Sequence, residues 1–315
     1  MSISPRNHHS PLKTTVALVL GAKGQLGRQI VSEFRSAGCR DVVAYDIEDV
    51  DIADQDALRR AVLDVSPGCV LNCAALSNVD ACELNPQQTE AVNARPVSLL
   101  ADVCQGINAQ LVQISTDFVF DGRSTTPYRE DDPANPLNVY GRSKLAAEQH
   151  ARGCARHLIV RTSWLFGPGR ENFVARILGR ALTGEPLSVV SDQIGRPTYC
   201  IDLAVAIRRL IDVGATGVYH VSNAGTASWH ELAAEAVRLA GLDVTIKAIA
   251  TSEYASPAQR PAYSVLDTKR YQQATGHQLR DWRLALQDYM EGRSWMPDDD
   301  QRVTDCQGDS DISVC

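Results

Sequence analysis

Tyr140 and Lys144 stand four residues apart in the segment Val-Tyr-Gly-Arg-Ser-Lys, whose pattern predicts a helix starting near Asn138, after Pro133 and Pro136 break the chain. Side chains at that spacing leave one helix face. Upstream, the apolar run Leu111–Ile114 reads as a buried strand that delivers Ser115, Thr116 and Asp117 to its C-terminal edge. A hydroxyl at a strand end, with a tyrosine and a lysine on a nearby helix, makes a proton-transfer device. A free tyrosine has a pKa of about 10, too high to exchange protons readily at neutral pH. A neighbouring ammonium favours the tyrosinate and lowers that pKa, so the phenol becomes a usable general acid or base. Thr116 would hold a substrate carbonyl oxygen while Tyr140 protonates it. An isolated Y-x-x-x-K also arises by chance on solvated helix faces, so its weight rests on the elements around it.

Those elements alternate. Thr15–Leu20 is an unbroken apolar run, as a strand buried on both faces of a parallel sheet requires. A glycine turn and a helix to about Ala37 follow, then a strand at Asp41–Tyr45, a helix at Ala53–Val65 and a strand at Cys69–Ala74. A long helix is expected over Asn85–Gln105, then the Leu111 strand, the Tyr140 helix and a fifth strand at His157–Arg161. Strand followed by helix, five times over, predicts an α/β fold: a doubly wound parallel sheet of Rossmann type. Beyond Trp164 the pattern loosens into a smaller C-terminal α/β part. Helices are expected at Asn172–Leu182, Ile201–Val213 and Ser228–Ala240, and short strands at Gly217–Val221 and Val244–Ile249. Gln259–Asp267 reads as a loop before further helices ending near Met290. The expected division is a flexible tail over 1–13, a dinucleotide-binding domain over 14–163, a mainly substrate-binding region over 164–292 with segments returning to the Rossmann sheet, and an acidic disordered tail over 293–315.

The turn Gly21-Ala-Lys-Gly24-Gln25-Leu26-Gly27 directly follows the first strand and opens a helix. That context suits a dinucleotide, because the glycines permit a tight turn and close approach of a pyrophosphate to the helix N-terminus. Asp46 ends the second strand, where an acid bonds ribose hydroxyls and repels a 2′-phosphate; a simple loop cap is the other reading. Lys23 and Arg28 lie near enough to accept such a phosphate, so both NADH and NADPH stay open as the cofactor. Asp51 and Ile52 fall where adenine would lie. The small residues of Asn72-Cys73-Ala74-Ala75, with Leu76 and Ser77 beyond, would let a cofactor pass above the strand edge.

The composition is that of a globular protein, 44% hydrophobic and 22% charged over 315 residues, with a net charge of −7. No basic cluster suggests nucleic acid, no apolar run reaches membrane-spanning length, and the N-terminus lacks a signal core. The nine cysteines are scattered with no C-x-x-C; Cys69, Cys73 and Cys104 read as buried thiols of a cytoplasmic protein. No cluster has metal-ligand spacing.

Longer strings carry a resemblance. I-S-T-D-F-V-F-D-G (114–122), the segment from Tyr128 to Glu148, R-T-S-W-L-F-G (161–167), N-F-V (172–174), D-Q-I-G-R-P-T (192–198), G-V-Y-H-V-S-N (217–223) and R-P-A-Y-S-V-L-D (260–267) resemble the dTDP-4-dehydrorhamnose reductase family of the extended short-chain dehydrogenase/reductase superfamily. The resemblance runs from about Val16 to Met290. It implies hydride transfer from NADPH or NADH to C4 of a dTDP-4-keto-6-deoxyhexose, with Tyr140 as proton donor, Lys144 on the nicotinamide ribose and Thr116 at the reacting end of the substrate. Asp117 and Trp164 match positions that contact the sugar nucleotide. Gly24, Gln25, Leu26, Asp46, Asp51, Ile52, Ala75, Leu76 and Ser77 match cofactor-lining positions, and Asn93 matches a structural asparagine. Phe118 departs from a usual tyrosine, Leu76-Ser77 from a frequent His-Thr, and Gln29 from a glutamate linked to a metal-assisted dimer; monomer and homodimer both stay open.

A dTDP-sugar brings a pyrophosphate, which guanidinium groups meet bidentately. Arg196 and Arg260 each precede a proline that aims them; ordinary surface turns are the competing reading. Asn172 would hydrogen-bond the nucleotide. Trp164 is read equally as ligand contact or core, His220 as a satisfied structural histidine, and Trp229 and Trp282 as core anchors. Two alternatives belong to other classes: a non-catalytic NADP-binding module resembling the regulatory subunit of methionine adenosyltransferase, and a nucleotide-sugar epimerase.

Overall fold

The computed structural model describes residues 15–39 and 41–292. The tails expected over 1–13 and 293–315 lie outside them. In chain order the first half comprises β1 (Val16–Leu20), α1 (Gln25–Ser36), β2 (Asp41–Tyr45), α2 (Gln55–Val65), β3 (Cys69–Asn72), α3 (Val79–Leu84), α4 (Pro86–Asn93), α5 (Arg95–Gly106), β4 (Gln110–Thr116), α6 (Val139–Ala151) and β5 (His157–Thr162). The second half adds β6 (Leu165–Phe166), α7 (Phe173–Leu182), β7 (Leu187–Val190), β8 (Ile194–Gly195), β9 (Thr198–Tyr199), α8 (Cys200–Asp212) and β10 (Gly217–His220). It ends with β11 (Ala227–Ser228), α9 (Trp229–Leu239), β12 (Ile246–Ile249), α10 (Lys269–Thr275) and α11 (Trp282–Glu291).

Six strands pair in parallel in the order β2-β1-β3-β4-β5-β10. Every residue of β3 and β4 is buried, because helices cover both faces. Leu26, Ile30 and Phe34 of α1 and Leu203, Ile207 and Leu210 of α8 pack on one face. Leu58 and Val62 of α2, Val97 and Leu100 of α5, and Ala147 and Ala151 of α6 pack on the other. The chain leaves β1 towards β2 and later crosses to β3 on the opposite side of β1. That reversal opens a crevice at the C-terminal ends of β1 and β3, where ligands bind in sheets of this kind.

The helix expected over Asn85–Gln105 is two, α4 and α5, with Ala94 between them, and a separate α3 precedes it. Pro86 and Pro96 sit in the first turns of α4 and α5; each lacks an N–H and starts a helix more easily than it continues one. The third strand stops at Asn72. The strands expected at Gly217 and Val244 part company: β10 closes the main sheet beside β5, whereas β12 pairs with β7. A second apolar core joins α7, α9 and α11 around Phe173, Trp229, Trp282 and Tyr289. Ser228 caps α9 in a capping box with Glu231, as its position before the helix predicts.

Candidate active site

The glycine turn wraps tightly. Gly21 takes φ +73°, and a Cβ there would stand 2.7 Å from the Ala74 nitrogen, so only glycine lets the turn meet the chain leaving β3. Asp46 reaches across from the end of β2: its Oδ2 accepts from the Lys23 backbone N–H at 2.6 Å and its Oδ1 from Ile47 N–H at 2.9 Å. Asp46 thus braces the turn and lies in a shallow hollow of about 630 Å³ with Lys23, Arg28, Ser32 and Arg35.

Thr116 is the last residue of β4, and its Oγ1 accepts from Phe118 N–H at 3.1 Å to start a single 3₁₀ turn, Asp117–Val119. Helix α6 begins at the cap Asn138, whose Oδ1 accepts from Gly141 N–H at 2.8 Å. A Cβ on Gly141 would fall 2.2 Å from the Phe118 carbonyl oxygen. The missing side chain therefore allows α6 to press on the 3₁₀ turn, and this brings Tyr140 to Thr116. Phe118 meets Tyr140 edge-on, with ring centroids 6.0 Å apart.

The electrostatics correct one expectation. Lys144 does not bring the Tyr140 phenol below its ordinary pKa; burial and then the Asp117 carboxylate hold it above, with partial relief from a hydrogen bond with Thr116. Lys144 is itself 3% exposed, and burial lowers its pKa to about 8, opposed by Cys73, Glu148 and Cys82. Among the described residues none hydrogen-bonds its Nζ. Asp117 is 2% exposed, its Oδ1 accepts from the Thr116 hydroxyl at 3.0 Å, and burial pushes its pKa up to about 7 against the pull of Ser264 and Thr116.

A buried ion pair supports this floor. Glu148, one turn beyond Lys144, accepts from Arg161 Nη2 at 2.7 Å, from Arg161 Nε at 2.8 Å and from the Ser115 hydroxyl at 2.5 Å. Register sets Arg161 between Ser115 and His220 on adjacent strands. The His220 ring meets Arg161 Nη1 at 3.3 Å and the Tyr128 carbonyl at 3.1 Å, in keeping with a structural role. Asn93 ties the chain after β3 to α6: its amide donates to the Leu76 carbonyl and the Ser143 hydroxyl, both at 3.0 Å, and its Oδ1 accepts from Leu76 N–H at 2.8 Å. The Tyr–Lys spacing extends to Glu148 at a further four residues, a signal sequence reading passed over.

One cleft of about 640 Å³ collects Gly24, Gln25, Leu26, Gly27, Ala75, Ser77, Thr116, Asp117, Tyr140, Lys144, Trp164, Asn172 and Arg260. The other expected residues stand elsewhere. Ile52 is buried beside Leu58 in the core, and Asp51 accepts from Ala53 N–H in a local turn. Ala74 backs the glycine turn, and Leu76 is held by Asn93. Arg196 does not line the cleft; its carbonyl accepts from the Ser163 hydroxyl at 2.7 Å. Asn172 lines it, but its Oδ1 caps Val174 and Ala175, and its amide donates to Gly167 O, Arg170 O and Tyr289 Oη. Arg260 pairs with Asp80 through Nη2 at 2.8 Å and Nη1 at 3.2 Å. Two wall residues went unforeseen. Trp229 is in the core as expected, but it also stacks on Trp164 with centroids 3.6 Å apart and lines the cleft. Arg176 projects from α7 into the same wall.

Among the described residues no group of three His, Cys, Asp or Glu could hold a metal ion, and no helix is long and apolar enough to cross a membrane.

The chain is similar to known proteins along most of its length. The family model described as RmlD substrate binding domain matches residues 15–294. The spore coat polysaccharide biosynthesis protein SpsK of Bacillus subtilis is 42% identical over 281 residues, 89% of this chain and 98% of that protein. A dTDP-4-dehydrorhamnose reductase of Streptomyces griseus is 39% identical over 285 residues, 88% of this chain and 93% of that protein. The crystal structure of dTDP-4-dehydrorhamnose reductase from Bacillus anthracis in complex with NADP superposes with a TM-score of 0.85 at 34% identity, covering 88% of this chain and 99% of that one. With a Rossmann-type sheet, a glycine turn at its reversal point and these relatives along nearly its whole length, the chain belongs to the dTDP-4-dehydrorhamnose reductase family of oxidoreductases.

Proposed function

We propose that the protein reduces the C4 keto group of a dTDP-4-keto-6-deoxy-L-hexose, dTDP-4-dehydrorhamnose or a close analogue, with NADPH or NADH as coenzyme. The observation that carries this reading is the meeting of Thr116, Tyr140 and Lys144 in a cleft that also reaches the glycine turn. The buried Lys144 ammonium, without a hydrogen-bond partner among the described residues, fits a ligand rich in hydroxyls, as a nicotinamide riboside is. Gly24–Gly27 would pass the pyrophosphate, and the hollow of Asp46, Lys23 and Arg28 would take the adenosine end. The bound coenzyme supplies a hydride.

The chain's own residues handle the proton. Thr116 orients the substrate carbonyl oxygen, and Tyr140 donates its proton to that oxygen. Burial keeps Tyr140 a neutral phenol, the form a donor requires. Lys144 would hold the nicotinamide ribose on the same floor of the cleft. Trp164 offers a flat face to the sugar nucleotide, and Asp117 a carboxyl beside Thr116. The names of the relatives support dTDP-sugar reduction as the reaction class.

The test is loss of reduced-nicotinamide absorbance when the protein meets enzymatically generated dTDP-4-keto-6-deoxy-L-mannose, with NADPH and NADH in separate runs. Rapid, sugar-dependent oxidation is expected. Folded protein that binds coenzyme but oxidises neither would overturn the reading in favour of a regulatory module.

A further inference from the structure

Resting on the reading that a dTDP-sugar occupies the cleft, we propose that Arg176, in the first turn of α7, grips the diphosphate of that substrate. A diphosphate taken out of water needs cationic donors. Arg260 is engaged on both terminal nitrogens by Asp80, and Nη1 also donates to Ala258 O at 3.1 Å and to Ser256 Oγ. Its position is that of a brace between α3 and the 256–260 loop. Arg196 lies outside the cleft lining.

Arg176 alone of the three combines two properties. It lines the cleft, and its Nε, like that of Arg196, is buried with no hydrogen-bond partner; among the described residues no ion pair involves it. An unpaired buried donor on a cation is costly, and an anionic ligand at this wall would satisfy it. The backbone offers little alternative here. The Val174 and Ala175 amides of the α7 N-terminus are already taken by the Asn172 cap, so a phosphate at this end finds few backbone donors and calls for a side chain. The neighbours suit a nucleotide: Phe173, Trp164 and Trp229 form an aromatic wall beside Arg176, with Phe173 and Trp229 centroids 4.6 Å apart. The glycine turn, Ser77 and Lys144 line other parts of the cleft, leaving the α7 wall for the substrate. Arg170 shares that wall but is exposed and adjoins Glu171 in sequence.

The experiment uses the full chain and compares dTDP with thymidine, which lacks the phosphates, by titration calorimetry. Arg176→Gln should weaken dTDP about 10- to 100-fold, the loss of one charge-assisted contact, and leave thymidine within about twofold. KM for the sugar nucleotide should rise in parallel while KM for the coenzyme holds, and Arg176→Lys should keep part of the affinity. Arg170→Gln should cost less than Arg176→Gln. Unchanged dTDP affinity in a folded Arg176→Gln protein, an equal loss for thymidine, or the reverse ranking of the two arginines overturns the assignment. Should Arg176→Gln not fold, the unmutated protein decides: dTDP, and not thymidine, should shield the Arg176 peptide from an arginine-selective dicarbonyl reagent, and no shielding overturns it. Unmutated protein that binds neither compound overturns the functional reading and this assignment with it, a result distinct from failure of the variant alone.

Discussion

Asp117→Asn should change the pH dependence of stability more than its level. Asp117 is buried under Thr116, beside Ser264 and facing Tyr140, and its pKa rises from 3.8 to about 7 on folding. A folded-state pKa above the unfolded one means that the folded protein holds a proton which the unfolded chain has released. The group's contribution is therefore most favourable below the unfolded pKa and is lost as pH rises through about 7. Complete, the loss is about 4 kcal/mol, and between pH 4.5 and pH 8 about 3 kcal/mol. Asparagine keeps the shape and carries no charge at either pH. In urea unfolding of the apoprotein, Asp117→Asn should sit near or below the parent at pH 4.5 and gain about 3 kcal/mol on it by pH 8. A variant equally displaced at both pH values would refute the reasoning, because it would mean that the Asp117 carboxylate stays ionised in the folded protein throughout.

Two further outcomes follow from the same floor. Tyr140→Phe removes the proposed donor and little else, so turnover should fall about 10²- to 10⁴-fold with coenzyme affinity nearly unchanged; near-normal turnover would remove Tyr140 from the mechanism. Glu148→Gln leaves the Arg161 cation, 3% exposed, without its counter-charge and should cost about 3–5 kcal/mol in urea unfolding, whereas Glu148→Met with Arg161→Met should recover most of that loss; a double variant no better than the single one would show that the stranded Arg161 charge is not what destabilises Glu148→Gln.

Much of this protein was legible in its residues. The buried runs of β1, β3, β4 and β5 announced a parallel sheet, since only a strand covered on both faces can be apolar throughout, and the glycine turn between β1 and α1 announced the crevice. The Thr116, Tyr140 and Lys144 set was legible because helical spacing and strand ends are local properties. What needed the tertiary structure was non-local. Strand pairing alone sent β10 to the main sheet and β12 to β7, because nothing within a four-residue strand names its neighbour. The sign of the Tyr140 shift depended on burial and on Asp117, and Lys144, itself out of water, is not among the groups that oppose them. Partners drawn from distant segments, Asp80 for Arg260 and Tyr289 for Asn172, engage two of the expected cleft residues, whereas Arg176 Nε has no hydrogen-bond partner among the described residues. Sequence names the groups that can do chemistry; which of them face the cleft uncommitted is decided by who packs against whom.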